Sequence, residues 1–239
     1  LNVLSDGFLA SQTAASVVFR GTNVPTFRLY TADIAGSVYG AKLHGVALYD
    51  SYGSLDLHVD WGGMVFGYNA GVALYSSAYI TNDGSILGGS ISPGNARSSS
   101  AIASNLFSTV TIENHNLISC AEGAAIRFWE LASGSHVINN SGTIEGYFAI
   151  YDQSTGNDST EYVTNTGLIK GVLYMGNGND QITTTGGEIR GPVFLENGND
   201  KYTGGGFTDS VSGGDGTDTL AGGGGNDSLS GGLGVDTMN

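Results

Sequence analysis

Cysteine occurs once in the sequence, at Cys120, proline three times, and lysine and arginine together only eight times. A lone thiol excludes an intrachain disulfide and any cysteine-ligated metal cluster. Scarce proline excludes a collagen-type helix, and the 40 glycines do not recur at every third position. Eight basic against 22 acidic side chains leave a net charge of −14 with no Lys or Arg cluster. That balance argues against nucleic acid and anionic membranes as partners and favours divalent cations. Long apolar runs are also missing, because Gly, Ser, Asn or Asp breaks every stretch well before the roughly 20 residues of a membrane span. What is present suffices to fold: 40% of the 239 residues are apolar, with 9 Phe, 12 Tyr and 2 Trp, too many for a disordered acidic chain. The chain begins at Leu1 with no charged-then-apolar leader, as expected of a processed protein or an internal piece.

The sequence repeats itself. Gly-x-(Val/Ile)-x-Gly occurs at Gly36–Gly40, Gly63–Gly67, Gly84–Gly88, Gly142–Gly146, Gly167–Gly171 and Gly187–Gly191, with a degenerate copy at Asn116–Cys120. Its central residues are Val38, Val65, Ile86, Ile118, Ile144, Ile169 and Ile189, at steps of 27, 21, 32, 26, 25 and 20 residues. Apolar and small residues alternate with period two around each, which predicts strands rather than helices. One such unit buries little by itself, so the units must stack, giving a right-handed parallel β-helix of about seven irregular coils over 34–194 with the seven markers in one interior row. A second strand follows the motif, most plainly in Gly45–Tyr49 and Gly71–Tyr75, and more loosely at Ala149–Tyr151, Val172–Tyr174 and Val193–Phe194. Asn82, Asn114, Asn140 and Asn165 each stand two positions before the motif, where stacked amides can hydrogen-bond along the axis. The insertions Gly89 to Ser100 and Asp152 to Glu161 are expected as surface loops. Residues 1–33 fit the repeat poorly. They are expected to be a terminal cap or contact segment, with Ala10 to Val18 a short helix or a broken strand.

From residue 195 the period shortens to nine. The blocks Leu195–Thr203, Gly204–Ser212, Gly213–Ala221, Gly222–Ser230 and Gly231–Asn239 place Asp200, Asp209, Asp218, Asp227 and Asp236 nine apart, and an outlying block at Met175–Thr183 places Asp180 one coil earlier. Glycines let the backbone turn with positive φ and direct its carbonyls inward, leaving acceptors crowded around a point that a hard cation fills. Two blocks make one 18-residue coil, so Asp200, Asp218 and Asp236 stack on one edge and Asp209 and Asp227 on the other. Like charges one coil apart repel, and the segment is expected to fold only with metal. The candidate ligands are the carboxylates of Asp180, Asp200, Asp209, Asp218, Asp227 and Asp236. The candidate turn glycines are Gly198, Gly205, Gly214, Gly216, Gly223, Gly225, Gly232 and Gly234.

These blocks resemble the glycine-rich nonapeptide repeats of the RTX family, the calcium β-rolls of secreted bacterial toxins, proteases and epimerases. Three consecutive blocks from 213 to 239 carry the full G-G-x-G-x-D-x-U-x pattern, where U is apolar; Phe207, and Leu195 with Glu196, depart from it. The resemblance implies several bound Ca²⁺ ions, a β-roll over 195–239, and an extracellular or cell-surface location in a Gram-negative bacterium reached by type I secretion. The usual export tail is missing, so a longer parent chain is expected.

Catalytic signatures are sparse. Gly222–Gly225 lacks the Lys of a phosphate loop, and His44, His58, His115 and His136 form no H-x-x-x-H pair. No G-x-S-x-G elbow is present either. Asp56, His58, Asp60, Glu113, His115, Arg127 and Glu130 are the candidates for polysaccharide chemistry, without a recognisable stacked face. Trp61 and Trp129 are candidates for a sugar stripe, with buried packing the competing role. The expected function is a calcium-folded structural, surface-layer, adhesive or matrix protein, with a cell-surface glycan or a head-to-tail copy of itself as partner. The alternative is a polysaccharide lyase or epimerase, or the non-catalytic module of one.

Overall fold

A computed structural model describes residues 2–3, 8–11, 17–20, 27–41, 44–89, 99–105, 109–129, 134–153 and 159–239, and every regular element among them is a strand. The strands lie in two long parallel sheets, one of 11 and one of 15 strands, and successive strands of each sheet come from successive coils. This is the expected all-β solenoid, a parallel β-helix that continues without a break into the nonapeptide repeats.

The seven markers form the row that their spacing implied. Val38 pairs with Val65, Val65 with Ile86, Ile86 with Ile118, Ile118 with Ile144, Ile144 with Ile169 and Ile169 with Ile189. All are buried. The second strands build a parallel row through Val46, Val72, Ile102, Ile126, Ile150, Leu173, Val193 and Val211. Between the two rows the chain must bend sharply, and the second motif glycine permits it. A Cβ on Gly67 would lie 1.6 Å from the Ala70 carbonyl oxygen. In the degenerate copy Cys120 stands at this corner. There the strand runs from Leu117 to Phe128 in one piece and absorbs the turn as a register shift between Cys120 and Ala124.

The first part of the chain joins the same sheets. Asn2–Val3 pairs with Asp33 and Ile34, Phe8–Ser11 with Ser37–Gly40, Val17–Arg20 with Val46–Tyr49, and Arg28–Ile34 with Gly53–Val59. The segment expected as a cap or contact piece thus supplies parallel strands of its own at Phe8–Ser11 and Val17–Arg20, and residues 12–16, the middle of the expected short helix or broken strand, lie outside the described residues. Residues 90–98 and 154–158, within the two expected loop insertions, lie outside the described residues.

The asparagine row is a hydrogen-bonded ladder. Asn82 Nδ2 donates to Asn114 Oδ1 at 2.7 Å, Asn114 to Asn140 at 2.7 Å and Asn140 to Asn165 at 2.8 Å, and Asn165 closes it on the Thr184 hydroxyl at 3.1 Å. Each amide also donates to a backbone carbonyl of the turn it faces: Leu117, Thr143, Leu168 and Glu188 in order. The ladder works because an amide is donor and acceptor at once, so identical groups satisfy one another when stacked.

Core density falls along the rod. The coil over 53–76 buries Leu55, Leu57, Val59, Val65, Val72 and Leu74 completely, whereas the coil beginning at Val211 buries only Val211 and Leu220. Four fewer buried aliphatic side chains represent about 6–12 kcal/mol less apolar stabilisation per coil. The tail therefore needs another source of cohesion.

Asn114→Leu removes two ladder rungs from a fully buried position and is expected to destabilise the protein by about 2–4 kcal/mol in urea unfolding. Asn139→Ala, one residue from Asn140 and facing outward to Glu113 Oε1 at 2.8 Å, is expected to cost under about 1 kcal/mol.

Candidate metal centre

Strands in the tail pair at a constant offset: Lys201 with Thr219, Thr219 with Thr237, and Ser210 with Ser228. Two nonapeptides therefore make one coil, and the acidic residue that opens each strand stands directly over its equivalent. The backbone N–H of Asp180 donates to Asp200 Oδ1 at 2.7 Å, Asp200 to Asp218 at 2.9 Å, and Asp218 to Asp236 at 3.1 Å. On the opposite edge Asp209 donates to Asp227 Oδ1 at 2.9 Å. All six aspartates singled out in the sequence thus fall into two files.

Beside each file runs a column of glycine backbone. Gly178, Gly198, Gly216 and Gly234, each two residues before an aspartate, have φ of 152°, 149°, 147° and 132°. A Cβ on Gly198, Gly216 or Gly234 would fall within 1.4–1.7 Å of the carbonyl oxygen of the glycine one coil earlier. Gly225 (φ 120°) meets the Phe207 carbonyl in the same way on the other edge. Gly214 and Gly232, at φ 117° and 108°, stack on Glu196 and Gly214, and Gly223 stacks on Gly205. The carbonyls are packed where only hydrogen fits.

The carboxylates are half satisfied. Oδ1 of Asp200, Asp218, Asp227 and Asp236 accepts the N–H just described, but Oδ2 of Asp180, Asp200, Asp209 and Asp218 is buried with no hydrogen-bond partner. Burial and the neighbouring charges push Asp180 and Asp200 up to about 7, and Asp209 and Asp218 above the ordinary carboxylate range. Two ionised carboxylates about 4.8 Å apart repel by roughly 3 kcal/mol at an effective dielectric of about 20. Among the described residues no three acidic, His or Cys side chains are disposed to hold a metal ion by themselves, so a cation seated here needs backbone carbonyls for most of its shell. A hard oxygen-seeking ion fits this donor set. Calcium takes six to eight oxygens with loose geometry, and it would satisfy the orphaned Oδ2 atoms while cancelling the repulsion.

Two site residues escaped the sequence reading. Glu161 is fully buried and heads the file, donating its N–H to Asp180 Oδ1 at 2.8 Å from 19 residues away. Its spacing from Asp180 resembles the 20 and 18 that follow, but no glycine pattern surrounds it. Glu196 occupies the Gly214 column with φ 74°, the one non-glycine at positive φ among the described residues.

The polysaccharide candidates separate into different places. His58 Nε2 and His115 Nδ1 both reach Asp83, at 2.9 and 2.7 Å, and His58 Nδ1 lies 3.3 Å from Asp60. Three consecutive turns thus carry an exposed His–Asp cluster that variable coil lengths had hidden. Asp56 is exposed, Glu113 is held by Asn139, and Glu130 lies outside the described residues. Arg127 is buried on another face, its guanidinium 5.0 Å from the Trp129 ring and 5.1 Å from that of Tyr151. Trp129 packs on the buried Ala47, Ala70, Ala73 and Ala103 cluster, while Trp61 is 84% exposed on a turn.

The fold and the two acid files define a class: an all-β solenoid whose last coils are glycine turns built around single carboxylates. Residues 203–238 match the family model of the RTX calcium-binding nonapeptide repeat in four copies, and repeats of that family bind Ca²⁺. No curated protein and no solved structure matches the chain. Asp209, Asp218, Asp227 and Asp236 lie inside the matched segment, and Asp180 and Asp200 precede it.

Gly216→Ala is expected to abolish ordering of the tail, because its φ is 147° and its Cβ would overlap the Gly198 carbonyl; Gly206→Ala, with nothing within 4 Å, is expected to be silent. Circular dichroism against calcium concentration reads both. A pH dependence follows from the acid files. Asp180 and Asp200 titrate near 7 when folded against about 3.9 when unfolded, so the metal-free folded chain holds protons that the unfolded chain has released. Metal-free stability therefore falls as pH rises from about 4 to 7 and levels off above. The urea midpoint in chelator is expected to be higher at pH 5 than at pH 8, and saturating calcium should remove most of that difference.

Proposed function

We propose that this protein is a secreted calcium-binding β-solenoid of the extracellular space or cell surface, serving as a structural, surface-layer, adhesive or matrix component. The observation that carries the reading is continuity. The same two sheets run from apolar coils into coils edged by carboxylates, so an ion seated in the tail stiffens one uninterrupted rod. In this reading the Oδ2 atoms of Asp180, Asp200, Asp209, Asp218, Asp227 and Asp236, with the adjoining glycine-turn carbonyls, are the ligands. Low cytosolic calcium leaves the tail unfolded and fit for export, and millimolar calcium outside orders it by mass action.

A carbohydrate-directed role has one observation in its favour. An open cavity of about 430 Å³ presents the Tyr151 and Tyr174 rings beside Asp152, Gln153, Asn177, Glu196 and Asn197. Among the described residues no His, Lys or Arg lines it, and aromatic rings beside amides and carboxylates suit holding a sugar.

Chelated protein titrated with calcium is expected to gain β-sheet signal and thermal stability, and Asp218→Asn to blunt both. Identical spectra and melting temperatures with chelator and with millimolar calcium would overturn the reading. Incubation with alginate or pectin is expected to yield neither unsaturated nor epimerised products.

A further inference from the structure

The elements of a tail seat can be written out from the five places where they recur. The N–H of one acidic residue donates to Oδ1 of the acidic residue one coil later. Two residues before the first acid, a backbone carbonyl faces the positive-φ glycine of the second. In the tail, Phe207 and Asp209 stand in this relation to Gly225 and Asp227, and Gly216 and Asp218 to Gly234 and Asp236. Higher up, Gly198 and Asp200 stand so to Gly216 and Asp218, and Gly178 and Asp180 to Gly198 and Asp200.

The fifth instance reaches beyond the nonapeptides. Glu161 N–H donates to Asp180 Oδ1 at 2.8 Å, and a Cβ on Gly178 would fall 1.7 Å from the carbonyl oxygen of Ser159, two residues before Glu161. Both the acid file and the carbonyl column therefore continue one coil into the β-helix. The Glu161 side chain is 0% exposed and neither carboxylate oxygen has a hydrogen-bond partner; Asp180 Oδ2 beneath it is equally orphaned. Asp152, also fully buried, adds a third carboxylate near enough to raise the Glu161 proton affinity, and accepts the Ser159 hydroxyl at 2.6 Å.

We infer that one further calcium ion sits between Glu161 and Asp180, held by their carboxylates and the Ser159 carbonyl, and locks the last β-helix coils to the β-roll. The inference rests on the calcium reading of the tail but adds Glu161 and Ser159, which no nonapeptide contains, to Asp180 of the outlying block.

Bound calcium is counted by elemental analysis after equilibrium dialysis of the full chain. Glu161→Gln is expected to bind one ion fewer than the wild type. It is also expected to raise the melting temperature of the metal-free protein, by replacing a buried acid crowded by Asp180 and Asp152 with a neutral amide, and to shrink the rise that calcium produces. An unchanged count, or equal losses of melting temperature with and without calcium as for a purely structural glutamate, overturns the inference. Anomalous scattering from wild-type crystals grown with calcium provides a measurement independent of the variant's folding. A peak between Glu161 and Asp180 is expected, and peaks confined to residues beyond Asp200 overturn it. Wild-type protein that binds no calcium at all defeats the tail reading itself, which separates the two failures.

Discussion

Along the paired strands of the described residues, inward side chains rest on the equivalent side chains of the next coil, about 4.8 Å away. That constraint governs the molecule, because whatever occupies an interior position must tolerate a copy of itself. Three solutions appear. Aliphatic residues attract their like through burial and dispersion, as in the Val38 to Ile189 row. Asparagines satisfy their like because each amide both gives and accepts, as from Asn82 to Asn165. Carboxylates do neither, being acceptors that repel, and a column of them demands a cation.

A single interior row passes from the first solution to the third. Leu55, Ala78 and Val110 are successive partners, the register of the next strands carries the row on to His136, and His136 pairs with Glu161. N–H to carboxylate bonds join Glu161, Asp180, Asp200, Asp218 and Asp236 in turn. His136 stands at the crossing. It is fully buried, stacked on Phe128 at 4.0 Å, and burial lowers its pKa to about 4, so it is neutral beside the first acid. The amide ladder ends at the same level, on Thr184. In this row apolar side chains thus give way to carboxylates at the level where the amide ladder ends, while a thinner apolar core continues beside them through Ile182, Tyr202, Val211 and Leu220.

What the sequence revealed depended on strict spacing. The Gly-x-(Val/Ile)-x-Gly markers, the asparagines two residues before them and the aspartates nine apart all recur at fixed local offsets, and their rows stand in the structure in full. Positions without a repeated neighbourhood were hidden. Phe8–Ser11 and Val17–Arg20 pair like any other coil but carry no motif. Asp60, Asp83 and His115 meet across turns separated by unequal insertions. Glu161 belongs to the aspartate file by register alone, since the residues around it form an ordinary strand. Register between coils of unequal length is a long-range property, and no local window contains it.

The hydrogen bonds within the acid file all point one way. In each rung the earlier coil supplies the N–H and the later coil the carboxylate. An ordered coil therefore offers a fixed donor to the next carboxylate in sequence, whereas an ordered later coil offers the earlier one only an acceptor. The β-helix, with its complete apolar core, presents such a donor at Glu161 independently of metal. Stacked repeats gain most of their stability from nearest-neighbour contacts, so the coil lying on an ordered template loses the least entropy when it folds. Under the calcium reading, order thus spreads from Glu161 towards Asp236, each ion cancelling a repulsion that the newly laid coil has just created. The polarity resides in the backbone rather than in the ions, and this is why a seat at the junction governs every seat after it.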